Sequence, residues 1–231
     1  MIDWHSHILP ELDDGSRSVA ESIYLINMQK AQGVGTVIAT PHFYADDESV
    51  ESFLERREKA FELLKSQLPE DCPQIKTGAE VLYYQGISRL AGLKSLRIEG
   101  SRLLLLEMPM LRWTEYMLRE LEELASISGL TIILAHIERY LDLQNEDTWD
   151  RLYESGFLNQ VNASFFIAFA SRRKALSLLK QGRIHFVGSD CHNVTSRPPR
   201  IGQAFEYIQK KLGGDFITQM NEYGYSMLEH K

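Results

Sequence analysis

The sequence predicts an α/β fold in which parallel strands close into a barrel. Three observations point there. Short runs rich in Ile, Val and Leu recur seven times, with the length and composition of buried parallel strands. Segments with helical periodicity separate them, so strand and helix alternate about seven times, as repeated βα units do. Metal-binding side chains then fall at the ends of those runs, and the carboxyl ends of parallel barrel strands share the rim where active sites form. No Pro/Gly/Ser linker, low-complexity tract or short repeat divides the 231 residues. One catalytic domain spanning 1–231 is expected.

Taken in order, the first strand is MIDWHSH, residues 1–7. A helix follows over 18–32. It opens on SVAE, a capping box of Ser18 and Glu21, carries Val19, Ile23 and Ile26 on one face, and ends at Gly33. GTVIATPH is the second strand and 48–68 the next helix, followed by IKTGAEV and RLLLLEM as strands three and four. Residues 114–128 form the clearest helix, with Thr114 as N-cap. Met117, Leu118, Leu121, Leu124 and Ala125 make its apolar face, and Gly129 follows. TIILAH, FLNQVNA and IHFVGSD complete the strands, with helices over 146–155, 172–181 and 200–212.

Composition narrows the function. Hydrophobic residues make up 44% and charged residues 25%, an ordinary globular balance. The formal charge is −7 and no basic tract occurs, which disfavours broad nucleic-acid binding. No apolar run approaches the roughly 20 residues of a membrane helix, and the first residues lack the basic-then-apolar pattern of a signal peptide. Cys72 and Cys191 are too few for a disulfide framework, which suits a reducing cytoplasm.

The chemistry lies in where the histidines and acids fall. His5 and His7 end the first strand, and alternation puts both on one face. His42 ends the second strand, Glu80 the third, Glu107 the fourth and His136 the fifth. Asp190 and His192 end the seventh, again two apart. Scattered structural histidines would not select one rim, and imidazole with carboxylate suits zinc, manganese or iron. His185 lies five residues before the end of its strand and reads as core. His230 lies in the tail and reads as solvated.

HSH at the start, DDG, TPH, GAE, the acid of strand four, AHIERY, and GSDCHN followed by SRPP together resemble the PHP (polymerase and histidinol phosphatase) superfamily. More narrowly, they resemble the metal-dependent protein tyrosine phosphatases of bacterial capsule and exopolysaccharide systems. The resemblance runs from Met1 to about Ile201. It implies a distorted seven-stranded (βα) TIM-like barrel holding three divalent ions, manganese first, with iron or zinc accepted by the same donors. By matching position, His5, His7, Glu80 and Asp190 would hold one ion, and Glu80, Glu107 and His136 a second. Asp14, His42 and His192 would hold the third, with Asp13 as a possible substitute for Asp14. Arg139 and Arg197 would grip phosphate. The stretch FYADDES after His42 departs from the more basic loop that the resemblance leads one to expect. A substrate lid and a solvated acidic loop are both open readings of it.

The expected function is phosphomonoester hydrolysis by in-line attack of a metal-bridging hydroxide on phosphorus. Four carboxylates against three divalent ions leave the rim at about +2, and the two arginines add charge for a dianionic phosphate. A tyrosyl leaving group, with a pKa near 10, fits a site with no obvious general acid. The resemblance suggests a phosphotyrosine substrate on the tail of a membrane-bound kinase that controls polysaccharide assembly, with the phosphatase itself cytoplasmic. The apolar stripe of the helix over 18–32 reads first as core packing, with an oligomer interface as the other reading. Two alternatives share the site: a small-molecule phosphatase such as one for histidinol phosphate, and an inactive interaction protein that kept the fold. A third reading takes Cys191 to Arg197 as the C-x5-R loop of cysteine phosphatases. The absence of glycine between them and the following Pro198-Pro199 argue against it.

Overall fold

The computed structural model describes residues 1–229; His230 lies outside them. The described residues form nine short strands and eight α-helices. In chain order they are β1 (Ile2–Ser6), α1 (Val19–Ala31), β2 (Thr36–Ala39), β3 (His42–Phe43), α2 (Val50–Lys65), β4 (Gln74–Thr77), β5 (Glu80–Leu82), β6 (Leu103–Glu107), α3 (Glu115–Ser126), β7 (Thr131–Leu134), α4 (Glu146–Glu154), β8 (Leu158–Asn162), α5 (Ala163–Ile167), α6 (Arg172–Lys180), β9 (Phe186–Gly188), α7 (Ile201–Leu212) and α8 (Gly214–Glu229). Every pairing is parallel, as βα repeats require.

The strands make two sheets, β1-β2-β4 and β3-β5-β6-β7-β8-β9, where the sequence suggested seven uninterrupted strands in one barrel. The second and third expected strands each break in two, at Thr40-Pro41 and at Gly78-Ala79. Pro41 has no N–H to give a ladder, and Gly78 offers no side chain to hold strand geometry. The register survives the break, because Ala39 faces Thr77 before it and His42 faces Glu80 after it. At the other side, β1 lies along the chain after β9. Asp190 N–H donates to the His5 carbonyl at 2.8 Å and His7 N–H to the Cys191 carbonyl at 2.9 Å.

The helices begin where the caps place them. The Ser18 hydroxyl accepts from Glu21 N–H, and Thr114 accepts from Met117 N–H. The buried face of α3 contains Met117, Leu118, Leu121 and Leu124. On α1 the buried set is Ser22, Leu25, Ile26 and Gln29, with Val19 and Ile23 only partly covered. The stripe is shifted because Ser22 and Gln29 bond to buried polar partners, Ser16 and Asp3. The short α5 and the long α8 have no counterpart among the segments read as helices.

The core has two parts. The larger cluster lies between strands and helices. The smaller one holds Ile2, Trp4, Leu103, Leu105, Ile133 and Phe186 near the strand starts and includes Leu228 of α8. There Trp4 stacks on Phe186 at 3.9 Å between centroids. The carboxyl ends of the strands are left free for polar side chains. On β1 a register irregularity between Asp3 and Ser6 falls where packing residues give way to His5 and His7. Irregularities of this kind re-aim side chains.

Candidate active site

All nine residues read as candidate ligands meet at the carboxyl ends of the strands. Their donors fall into four overlapping groups: His7, Asp14, His42 and His192; His5, His7 and Asp190; His5, Glu80 and His136; and His42, Glu80 and Glu107. Within each group the donor atoms lie within 4.8 Å of one another. Glu80 is the centre. Its Oε1 is 2.8 Å from His136 Nε2, and its Oε2 is 3.1 Å from His5 Nε2, 3.3 Å from His7 Nε2 and 3.0 Å from His42 Nδ1. Asp14 Oδ1 approaches His42 Nε2 at 3.5 Å and His192 Nε2 at 3.4 Å.

Asp13 and Asp14 separate by role. Asp14 is exposed and turns to the cluster, whereas Asp13 supports it from behind. The Asp13 carboxylate accepts from His7 Nδ1 at 2.7 Å, from His42 N–H at 3.0 Å and from Gly15 N–H at 2.9 Å. A neighbouring acid of this kind fixes a ligating imidazole in orientation and tautomer.

Backbone strain collects here. Three non-glycine residues among those described have positive φ: Glu11, His136 (33°) and Asp190 (52°). The last two are candidate ligands. Such conformations persist only where the surroundings over-determine them, and functional sites are where they concentrate.

The electrostatics call for cations. Burial acting alone would lower the His7 pKa, but the hydrogen bond and charge of Asp13 and the nearby Glu80 carboxylate raise it to about 10. Burial would raise Glu80; His5, His136 and His42 instead hold it well below the ordinary carboxylate range. Three buried atoms, His42 Nδ1, Glu80 Oε2 and His192 Nε2, have no hydrogen-bond partner. The 3.0 Å His42–Glu80 contact brings the two atoms close without hydrogen-bond alignment. Imidazole nitrogens and carboxylate oxygens at this spacing, with orphaned buried donors aimed inward, fit divalent ions.

Arg139 and Arg197 stand on one wall of the cluster. Both pair with Asp190, at 2.8 Å and 2.7 Å, and Arg139 also reaches Glu107 at 3.4 Å. They line a cavity of about 470 Å³ with Glu138, Asn162, Ser164 and Arg200. Tyr44 stacks on His42, at 5.3 Å between centroids. Tyr44, Asp47 and Glu48 of the acidic loop line a second cavity with Asp13 and Asp14.

The Cys191–Arg197 loop is built for another purpose than thiolate chemistry. Cys191 is fully buried, and burial together with the charge of Asp3 pushes its thiol far up. Asn193 Oδ1 accepts the N–H groups of Thr195, Ser196 and Arg197 at 3.1, 2.8 and 3.2 Å. The amides that a phosphate loop would aim at an oxyanion are thus spent on shaping the turn that carries Arg197. His185 is half-buried and accepts Asn159 N–H through Nδ1 at 3.0 Å.

Sequence reading missed the supporting polar residues. Asp3, Gln29, Tyr140, Gln160, Asn162 and Asn193 all bond to the backbone or side chains of the cluster or to its neighbours. One signal was present: Asn159, Gln160 and Asn162 are polar residues inside a strand that is otherwise buried.

Residues 1–224 match the profile of the family described as "Capsular polysaccharide synthesis, CpsB/CapC". The chain is 34% identical to the tyrosine-protein phosphatase CpsB of Streptococcus pneumoniae, over 92% of this chain and 91% of that one. It is 31% identical to the tyrosine-protein phosphatase YwqE of Bacillus subtilis, over 96% and 89%. The fold superposes, with a TM-score of 0.83 and 25% identity over 100% of this chain and 96% of the other, on a chain from the crystal structures of YwqE and CpsB, described as unique metal-dependent tyrosine phosphatases.

Proposed function

The chain belongs to the CpsB/CapC family of capsular polysaccharide synthesis proteins, and from that premise we propose that it is a metal-dependent tyrosine-protein phosphatase. The convergence of nine ligand-type side chains with two guanidinium groups at one strand rim carries this reading. We read the two sheets as one distorted seven-stave barrel, since the register is the same on both sides of the Thr40-Pro41 break. The whole chain is taken as one catalytic domain, because the cluster draws on residues from His5 to His192.

His5, His7, Glu80 and Asp190 would hold one ion, Glu80, Glu107 and His136 a second, and Asp14, His42 and His192 a third, with manganese favoured. When bound, such ions supply Lewis-acid charge and activate water for attack on phosphorus. The chain's own residues do the rest. Arg139 and Arg197 are already oriented by Asp190, and a guanidinium, with five N–H donors in a planar fork, suits two-pronged phosphate binding. Fixing them before substrate arrives reduces the ordering that binding would otherwise require. No buried acid need protonate the leaving group, because a phenol departs at a pKa near 10.

The substrate is a phosphotyrosine protein, and the tail of a membrane-bound kinase of capsule assembly fits both the family and the open rim. Among the described residues no helix is long and apolar enough to cross a membrane, and the proposed place of action is the cytoplasm, beside such a tail.

The test is phosphate release from a tyrosine-phosphorylated peptide by chelator-stripped protein, before and after Mn²⁺, with histidinol phosphate alongside. Peptide turnover only with metal is expected. Turnover confined to histidinol phosphate would keep the site and replace the substrate. Glu80→Gln should lose more than the roughly 10- to 100-fold typical of a partner that only orients a ligand, while Arg197→Ala should chiefly raise KM. Normal turnover in Glu80→Gln would remove the central-ligand assignment.

A further inference from the structure

Of the seven strands read from the sequence, the sixth supplies none of the nine candidate ligands. The structure nevertheless aims its amides at them. Gln160 is fully buried on β8. Its Oε1 accepts the backbone N–H of His136 at 2.6 Å and faces His5 Nδ1 at 3.4 Å. Its Nε2 donates to Asn162 Oδ1 at 3.1 Å, and Asn162 Nδ2 donates to Asp190 Oδ2 at 2.8 Å.

The direction of this chain is fixed at one end. A backbone N–H can only donate, so the Gln160 atom facing His136 must be the oxygen. That oxygen can only accept, so a hydrogen bond across the 3.4 Å to His5 places a proton on Nδ1. Nε2 of His5 faces Glu80, His7 and Asp190, and is the ring nitrogen left to give its lone pair to a bound ion. With its oxygen so placed, Gln160 must present Nε2 to Asn162, which leaves the Asn162 amide nitrogen to donate to Asp190. The same Gln160 oxygen braces His136, whose left-handed backbone needs an external hold. Gly188 of β9 makes the room. A Cβ there would lie 2.6 Å from His5 Cβ and 2.9 Å from Gln160 Nε2.

We infer that Gln160 and Asn162 are positioning residues of the metal centre: one amide chain from β8 holds the His5 ring, braces the His136 turn and, with Arg139, fixes Oδ2 of Asp190, while Oδ1 faces His5, His7 and Arg197. The inference rests on the proposed assignment of His5, His136 and Asp190 as ligands. It adds that three ligands from three strands are aligned by the strand that carries none.

The test measures Zn²⁺ affinity by competition with a chromogenic chelator, on wild type, Gln160→Leu and Gln160→Glu. Gln160→Leu keeps the approximate size and loses the acceptor; Gln160→Glu keeps the acceptor. Gln160→Leu should bind at least one ion about 10- to 100-fold more weakly, the usual effect of removing such a partner, and Gln160→Glu should return to within a few-fold of wild type. Equal affinity in Gln160→Leu and wild type would overturn the inference and leave the ligands standing. A wild type that binds no Zn²⁺ would overturn the ligand assignment and the inference with it. Should Gln160→Leu fail to fold, the wild type decides. Imidazole nitrogen NMR of the Zn²⁺-loaded protein, with His5 assigned by its loss in His5→Gln, should show a proton on Nδ1. A proton on Nε2 would overturn the inference.

Discussion

Cys191 lies between two candidate ligands yet faces away from them, with Gln29 Nε2 3.8 Å from its sulfur. Burial and the neighbouring Asp3 keep the thiol protonated, so it is no nucleophile. Cys191→Ser should therefore retain metal-dependent turnover within a few-fold; loss of turnover in a folded variant would return the cysteine mechanism. His185 shows burial acting on a titratable group outside the cluster. Burial lowers its pKa from 6.5 to about 4, and its Nδ1 is held as an acceptor by Asn159 N–H. The unfolded chain takes up a proton between these values that the folded chain refuses. Its contribution to stability is thus complete above pH 6.5 and is lost as pH falls toward about 4. His185→Gln can still accept the Asn159 N–H but does not titrate. In metal-free protein, its Tm should fall less than that of wild type between about pH 7.5 and about pH 4.5. Parallel falls would take His185 out of the acid response.

At the scale of elements, β1, β8 and β9 converge on Gly188. An added Cβ would sit 2.8 Å from His5 N as well as against His5 Cβ and Gln160 Nε2. Gly188→Ala should destabilise by about 1–3 kcal/mol, the usual effect of overpacking, and should weaken metal binding at the same time. Urea unfolding of metal-free protein reads the first and chelator competition the second; a variant that changes neither would mean that the strands can part freely. The same strands show what the sequence could and could not disclose. His5, His7, His42, His136 and Asp190 were legible because each ends an apolar run, and parallel topology turns that shared position into one rim. Gln160 and Asn162 showed only as polar residues within a strand, without a role, because an amide that orients a side chain needs no fixed spacing from it in sequence. The choice between Asp13 and Asp14 was equally closed to spacing, since adjacent residues point apart and only the fold says which one faces inward. The break at Pro41 was written in the sequence, but a proline at a strand end reads the same as one within a strand. α8 escaped because its packing contacts include a glycine, Gly224, that lies against Ile2 and Trp4. A helix that docks through a gap leaves a faint apolar period.

For the whole molecule, the cluster is a concentration of charge that folding must gather. Glu80 and Asp190 are almost fully buried, and without metal their charges are met by the histidines and arginines around them. Bringing these groups together requires each to leave water. Divalent ions that bind the folded chain and not the dispersed ligands of the unfolded one stabilise the fold by mass action. With free metal about 1,000-fold above its Kd, the gain is about 4 kcal/mol for one site. A chain of this size gains roughly 2–4 °C in Tm for each kcal/mol, so loading should raise Tm by on the order of 10 °C. The shift should grow with the logarithm of free metal and reverse with chelator. The candidate ligands come from β1, the loop after it, β3, β5, β6 and the chain beyond β7 and β9, so an ion bound among them would tie together both sheets and both ends of the strand order. The thermal transition should therefore stay single in both states and move as a whole. A Tm indifferent to metal would mean that the cluster is already satisfied by its own ion pairs. A metal-free protein melting in two steps would mean that the sheets are joined by the ions and not by the bridge between Ser6 and Cys191.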